Sequence, residues 1–538
     1  MQAVTSKSPG AAVTSPEIGA PSRSGSDLPL CDVIRARSVT LGERAYVEHA
    51  RDGRALSFRQ LERSMERWRA LLGGAHGGGL TTIGLALSDP MAFTDAFLGA
   101  IAAGFWVAPL DPSMPSGGSG GAAAVVARTG ADIVVADRPA PAGLDGQWID
   151  LERLDRLDAG TVTGRGATAP FSAGAGGVVL SSSGTTGTPK VVRLGQEKLL
   201  YTARCVASHL QLGSDDRGFN SLPLFHINAE VVGLLSTLVA GSCLVLDDRF
   251  HRSAFWDLMS QRSITWINAV PAIISRLGAL EGDETAPREI RFIRSASAPL
   301  PVATADRFEA STGVPVIETY GMTEAASQIT AHPLALPRRP GSVGVPVGVE
   351  LRIVRETEPV GSPLEVPEFH IGHVEIRGPS VIGSYVGNEH SDCFSTDGWL
   401  RTGDLGHRDL DGFVYLDARS DDVINRGGEK VFPGEVEEVI SADPMVRSVA
   451  VVGRDDPELG QVPVAYVVLR GVDGPGDTGI ADDSAARIKR ALERCLVRTK
   501  RPVALCVVRE LPAGATGKVR RRSLGAPEVP VLHTFDLQ

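Results

Sequence analysis

Cysteine pairs and clustered positive charge are what this sequence most plainly lacks. Only six cysteines occur in 538 residues, at 31, 205, 243, 393, 495 and 506, and none form a C-x-x-C pair. That spacing indicates neither a zinc site nor a disulfide framework, so reduced, cytoplasmic thiols are the expectation. Acidic residues outnumber basic ones, 64 to 54, for a net charge of −10. A nucleic-acid binder needs a basic face, so the balance argues against that class. It leaves room for a local basic pocket around a phosphorylated ligand. Long apolar runs are missing too. Asp95 to Asp111 and Glu230 to Asp247 come nearest, and Gly233, Ser236, Thr237, Gly241 and Ser242 interrupt the second. Both fall short of a bilayer span, so no membrane span is expected and both read as buried helices and strands. The Walker spacing G-x-x-x-x-G-K-[ST] is also absent, which argues against a P-loop kinase.

What is present is an ordinary soluble composition, 43% apolar and 22% charged. The chain is too long for one core, so more than one domain is expected. Residues 1–27, rich in Ser, Pro, Gly and Ala, lack a signal peptide's apolar centre and read as a disordered tail with no targeting signal. Leu61, Met65, Trp68, Leu71 and Leu72 recur at helical spacing. Apolar strand-like runs follow at Ile83–Leu87, Val107–Leu110 and Ala131–Ala136, with a helix opening at Asp89-Pro90. Similar strands recur near Gly241–Leu246, Thr265–Asn268, Phe292–Ser295 and Val314–Ile317. Such alternation predicts an α/β fold, with a parallel sheet between helical layers. Beyond Gly341 apolar and polar residues alternate, predicting a small β region. After Asp417 strands and helices follow that predict a compact α+β domain. The expected division is a large N-terminal domain over 28–418 and a small, mobile one over 419–538.

The most telling stretch is Ser181-Ser182-Ser183-Gly184-Thr185-Thr186-Gly187-Thr188-Pro189-Lys190, which follows the strand-like Val178-Val179-Leu180. Its glycines let backbone fold closely around an anion, its hydroxyls and amides donate to it, and Lys190 adds a compact positive charge. In chemical terms it is a phosphate cradle, although Ser/Gly/Thr runs are often only mobile loops.

Further blocks decide between these readings. They are Glu318-Thr319-Tyr320-Gly321-Met322-Thr323-Glu324, Trp399-Leu400-Arg401-Thr402-Gly403-Asp404, Asp411 to Leu416, Ala418 to Ile424, Arg426 to Lys430, and Leu511 to Lys518. In this order and spacing they resemble the adenylate-forming superfamily of acyl-CoA synthetases, nonribosomal peptide synthetase adenylation domains and luciferases. The resemblance runs over roughly residues 30 to 525.

The resemblance implies ATP-dependent activation of a carboxylic acid as an acyl adenylate, then transfer to a thiol, with coenzyme A the first choice. A carrier-protein thiol or a nitrogen nucleophile is the alternative, and a non-catalytic nucleotide-binding homologue a more distant one. Two anions must meet, so positive charge and aimed donors are needed. By resemblance Ser182, Ser183, Gly184, Thr185, Thr186, Gly187 and Lys190 cradle the β- and γ-phosphates. Thr323 contacts the α-phosphate, and Glu324 holds Mg²⁺, a hard cation suited to carboxylate and phosphate oxygens. Ser297, Ala298, Pro299, Thr319, Tyr320 and Gly321 surround the nucleotide. Asp404 accepts from the ribose, Arg419 contacts ribose and phosphate, Asp421 is the hinge, and Lys518 is the catalytic cation. In a second pose the face around Gly428 approaches the adenylate. His226, Asn228 and Ser295 belong to the acyl pocket. Amino-acid-activating relatives usually carry an aspartate where His226 stands, so the expected substrate is a small acid without an α-ammonium group. The wording of these blocks looks most like ligases of small acids such as oxalate, and of short or medium acyl chains. Two departures from the usual pattern are Val191 after the lysine and Ala418 before Arg419, both commonly glycine in the family.

Overall fold

The computed structural model describes residues 28–73, 82–115, 121–141, 144, 148–151, 174–182, 190–280, 282–355, 364–388, 391–514, 518–527 and 529–537. The expected N-terminal tail lies outside them, as do residues 183–189 of the cradle. Among the described residues the strands assemble into four sheets of nine, six, four and six strands.

The first six-stranded sheet runs in the order Trp148–Asp150, Ile133–Ala136, Thr82–Ala86, Trp106–Pro109, Gly177–Ser182 and Lys190–Gly195. Thr82–Ala86 is buried along its whole length, as a central parallel strand covered on both faces must be. The helix Pro90–Ala102 follows; the Asp89 carboxylate caps it by accepting from the Met91 N–H at 3.1 Å, with proline in the first turn. The last two strands form an antiparallel hairpin with Ser182 opposite Lys190. That hairpin holds both ends of the expected cradle.

The nine-stranded sheet is parallel at its centre and antiparallel at its edges. Arg217–Asn220, Trp266–Ala269, Phe292–Ser295 and Val316–Tyr320 lie side by side and parallel, so their carboxyl ends share one edge. Ligands of open α/β sheets bind beyond such an edge. Glu350–Val354, Gly372–Arg377, Leu400–Arg408 and Val414–Arg419 make the small antiparallel sheet expected after Gly341.

The remaining sheet belongs to the C-terminal α+β region and has its own core, in which Ile424, Val436, Ile440, Val467, Ile488 and Leu505 pack together. Its helices are Pro433–Ser441 and Thr478–Cys495. All six cysteines are free.

The sequence reading left several elements unnamed, three of them instructive. Leu30–Leu41 is a helix, although Pro29 offers no side-chain cap. Val531–Asp536 is a part-exposed strand on the last sheet, too weakly apolar to declare itself. Ala229–Leu235, within the run read as buried core, winds as a fully buried π-helix, a form frequent at functional sites.

Candidate active site

The strand Val316–Tyr320 ends at the shared edge and doubles back at once. A Cβ on Gly321 would stand 1.4 Å from the Ser327 carbonyl oxygen, so only glycine permits this approach. Thr323–Ala325 then makes a single 3₁₀ turn. Ala326 (φ 52°), Ser327 (φ 94°) and, beyond the neighbouring strand, Ser297 (φ 73°) all sit in the left-handed region. Each costs about 1–3 kcal/mol, and such strain gathers where function requires it. The Thr319 hydroxyl donates to the Ser295 carbonyl at 2.8 Å and ties the two strand ends together. Ala298 and Pro299 follow Ser297 on the same loop.

Three of the expected nucleotide residues meet directly. The Tyr320 hydroxyl donates to Asp404 Oδ2 at 2.5 Å, and Arg419 Nη1 donates to Asp404 Oδ1 at 3.1 Å. Asp404 stands just after Gly403, whose φ of 78° turns the strand and where a Cβ would press on Arg419 Nη2 at 3.2 Å. The Asp404 N–H donates to the Thr402 hydroxyl at 3.1 Å, which fixes the carboxylate's direction. Burial, then the Asp404 charge, pushes the Tyr320 phenol well above its ordinary range, so it remains a donor.

A second cluster surrounds Glu324. The carboxylate is buried, and its Oε1 accepts from the Tyr385 hydroxyl at 2.9 Å. The Lys190 ammonium lies 4.8 Å from the centre of the same Tyr385 ring and 3.4 Å from Cys393 Sγ. Tyr385 thus links the cradle's lysine to the expected metal carboxylate. The sequence offered no sign of it, because it lies 61 residues beyond Glu324 in a segment without a motif. Ser183, Gly184, Thr185, Thr186 and Gly187 lie outside the described residues, and of Ser182 only the backbone is described.

Lys518 comes from the C-terminal region. The Gly514 N–H donates to its carbonyl at 2.9 Å, closing the loop that carries it. The side chain stays solvent-accessible, yet its ammonium falls within the fields of Arg419, Asp404, Asp422 and Arg521. Desolvation first, and the Arg419 guanidinium second, push it below the ordinary lysine value. Asp421 sits in the single turn Ser420–Asp422, and its neighbour Asp422 pairs with Arg521 at 3.5 Å.

One expected acyl-pocket residue, Asn228, meets a residue to which the sequence reading gave no role. Arg294, 1% exposed, donates from Nη1 to Asn228 Oδ1 at 2.9 Å and to Asn268 Oδ1 at 3.2 Å, and from Nη2 to Gln328 Oε1 at 3.4 Å. His226 is half-buried against Phe225, with ring centroids 4.6 Å apart and its Nε2 unpartnered. Burial pushes its imidazole down to about 4, with Asp111 opposing, so it is neutral near pH 7. Ser295 Oγ is also buried without a partner.

Residues 35–386 match the AMP-binding enzyme family, and residues 435–518 match the AMP-binding enzyme C-terminal domain. The chain belongs to the AMP-binding enzyme family. It is 40% identical to sulfoacetate–CoA ligase of Cupriavidus necator over 64% of this chain and 66% of the relative. It is 36% identical to oxalate–CoA ligase of Arabidopsis thaliana, over the same shares of the two chains. The match therefore spans just under two thirds of these relatives' lengths. The structure of this AMP-binding enzyme resembles that of o-succinylbenzoate coenzyme A synthetase from Bacillus subtilis in complex with ATP and magnesium ion. There the TM-score is 0.77 and identity 26%, over 91% of this chain and 98% of that one. Among the described residues of this AMP-binding enzyme, no helix is long and apolar enough to cross a membrane.

Proposed function

We propose that the protein joins a small carboxylic acid lacking an α-ammonium group to coenzyme A at the expense of ATP. In the first half-reaction a carboxylate oxygen attacks the α-phosphorus, the bond to the β-phosphate oxygen breaks, and pyrophosphate leaves. In the second, the thiol sulfur attacks the acyl carbon, the bond to the AMP oxygen breaks, and AMP leaves. The observation that supports this reading is the hydrogen-bonded Tyr320–Asp404–Arg419 cluster, a ready acceptor for ribose hydroxyls, with Lys518 of the C-terminal region inside its electrostatic field.

The roles follow from the chemistry of each group. Asp404, oriented by Thr402, Tyr320 and Arg419, accepts from the ribose. Lys190 and the Ser182–Gly187 cradle take the β- and γ-phosphates, with Thr323 at the α-phosphate. Ser297, Ala298, Pro299, Thr319 and Gly321 shape the wall beside the base. Lys518 neutralises charge where the attacking carboxylate nears the α-phosphorus, an effect greatest in the transition state.

Among the described residues no group of three or more His, Cys, Asp or Glu forms a metal cage. A buried carboxylate with one oxygen engaged suits magnesium, which commonly takes one or two protein carboxylates together with phosphate oxygens. Glu324 is the residue that would hold it, and the ion would supply charge neutralisation at the phosphates. The chain would divide into residues 28–418 and 419–538 about a hinge at Asp421. The present arrangement, with Lys518 within the fields of Asp404 and Arg419, would be the adenylating one. Rotation would withdraw Lys518 and bring the face around Gly428 toward the adenylate.

Coenzyme A is favoured as acceptor because the relatives named above are CoA ligases, and their acids are small. His226 and Arg294 offer an α-ammonium no counter-charge. The test is ATP–pyrophosphate exchange over a panel of acids, followed by thioester formation with coenzyme A on the best of them. Exchange strongest with a free α-amino acid would overturn the pocket reading, and exchange without any thioester would overturn the acceptor.

A further inference from the structure

Asn220, Asn268 and Arg294 face one another on three adjacent parallel strands, near the carboxyl ends where the site lies. Their side chains form one chain of hydrogen bonds. Arg294 donates to Asn268, Asn268 Nδ2 donates to Asn220 Oδ1 at 3.0 Å, and Asn220 Nδ2 donates to the Leu222 carbonyl at 3.0 Å. Asn228 and Gln328 accept from the other side. Every acceptor is a neutral amide or a carbonyl. Among the described residues no carboxylate forms a hydrogen bond or ion pair with Arg294. The neighbouring His209 imidazole is pushed down by burial, with its hydrogen bond to the His332 backbone opposing and Arg294 adding a smaller downward push.

A fully buried guanidinium without a counter-charge is costly, because desolvation is not repaid by neutral amides. Burial pulls Arg294 down to about 9, the mark of that cost. Donors are also left over. Arg294 Nε, Asn228 Nδ2 and Gln328 Nε2 are buried and unpartnered. A site with one fixed positive charge and several spare N–H groups is built to receive an anion.

Its position says which anion. Ser295, next in the chain, binds Thr319 of the strand that leads to Glu324, and Gln328 lies four residues beyond Glu324. The guanidinium is therefore tied by single residues to the segment proposed to meet the α-phosphate and magnesium, where the acid's carboxylate must attack. It stands among the pocket residues Asn228 and Ser295. We propose that Arg294, with Asn228 and Gln328, receives a second anionic group on the acid, so that the substrate is a short dianion. It carries one carboxylate for activation and a carboxylate or sulfonate at its far end. This rests on the acid-activating reading above and narrows its substrate class.

The experiment compares ATP–pyrophosphate exchange on malonate, oxalate and sulfoacetate with exchange on acetate and propionate, magnesium in excess. The expected kcat/KM for at least one dianionic acid exceeds that for either monoanion by about 30-fold or more, the usual consequence of leaving a buried charge unpaired. Malonate against sulfoacetate tells which far group is preferred. In Arg294→Gln the dianion should fall by about 30-fold or more, while the monoanions change by less than about threefold. A wild-type preference for monoanions overturns the proposal, as does equal loss on both classes in an Arg294→Gln protein that melts like wild type. If that variant does not fold, the wild-type comparison decides alone. Absence of exchange with every acid overturns the acid-activating reading itself, an outcome distinct from exchange on monoanions only.

Discussion

Replacing Lys518 with alanine should separate the two proposed half-reactions. In the structure Arg419 is already matched to Asp404 at 3.1 Å, so much of its charge is spent within the protein. Lys518 has no ion pair within 4 Å among the described residues, so its charge remains available to the substrate. Its deletion removes one aimed, uncompensated cation. Losing one such electrostatic contact lowers the rate by roughly 10²–10³, or about 2.7–4 kcal/mol of barrier. Because the contact is made mainly in the transition state, kcat should fall far more than KM for ATP or acid rises. The assay is pyrophosphate exchange for the first half and thioester yield from pre-formed acyl adenylate for the second. The expected result is near-abolished exchange with thioester transfer largely intact, since the lysine would by then have left the site. Normal exchange in the Lys518→Ala protein would refute the role given to the C-terminal loop. Equal loss of both halves would show instead that the loop serves folding or both poses.

Asp421→Pro should constrain φ inside the single turn Ser420–Asp422; exchange should survive while thioester formation collapses, and equal loss of both in folded protein would count against a hinge there. Gly321→Ala should destabilise the fold by more than about 4 kcal/mol, because the added carbon meets backbone rather than a movable side chain. A melting temperature within a few degrees of wild type would show that the turn can open after all. His332 is 1% exposed, and burial pulls its imidazole from 6.5 down to about 4. Between those values the unfolded chain binds a proton that the folded one refuses. The stability His332 contributes is thus whole above pH 6.5 and is lost as pH falls toward 4, by up to about 3 kcal/mol. His332→Gln should flatten the stability-versus-pH slope in that window by one proton, and an unchanged slope in denaturant titrations would dismiss the effect.

How much of the site could be read in advance depended on how local its chemistry is. The cradle, the Tyr320–Glu324 turn, Asp404 and Lys518 announce themselves because glycine, hydroxyl and charge must be contiguous for a backbone to wrap an anion or turn sharply. Gly321 is such a case, since the turn it permits spans only seven residues. The buried parallel strands were legible for a similar reason: an interior strand covered on both faces is mostly apolar, as residues 83–86 are. Tyr385 and Arg294 were not legible. Arg294 stands in plain view within Phe292-Ile293-Arg294-Ser295, but its meaning depends on what surrounds it. Asn228, Asn268 and Gln328 come from a π-helix cap, a parallel strand and a strained turn, between 26 and 66 residues away. The order of residues determined the family, the layered α/β architecture and the loops proposed to hold phosphate, because those depend on patterns a few residues long. Only the tertiary structure decided that the arginine would be enclosed by neutral amides, and that Lys518 would stand within the fields of Asp404 and Arg419. Desolvation and charge pairing are properties of neighbours in space, and the chain brings those neighbours together only when it folds.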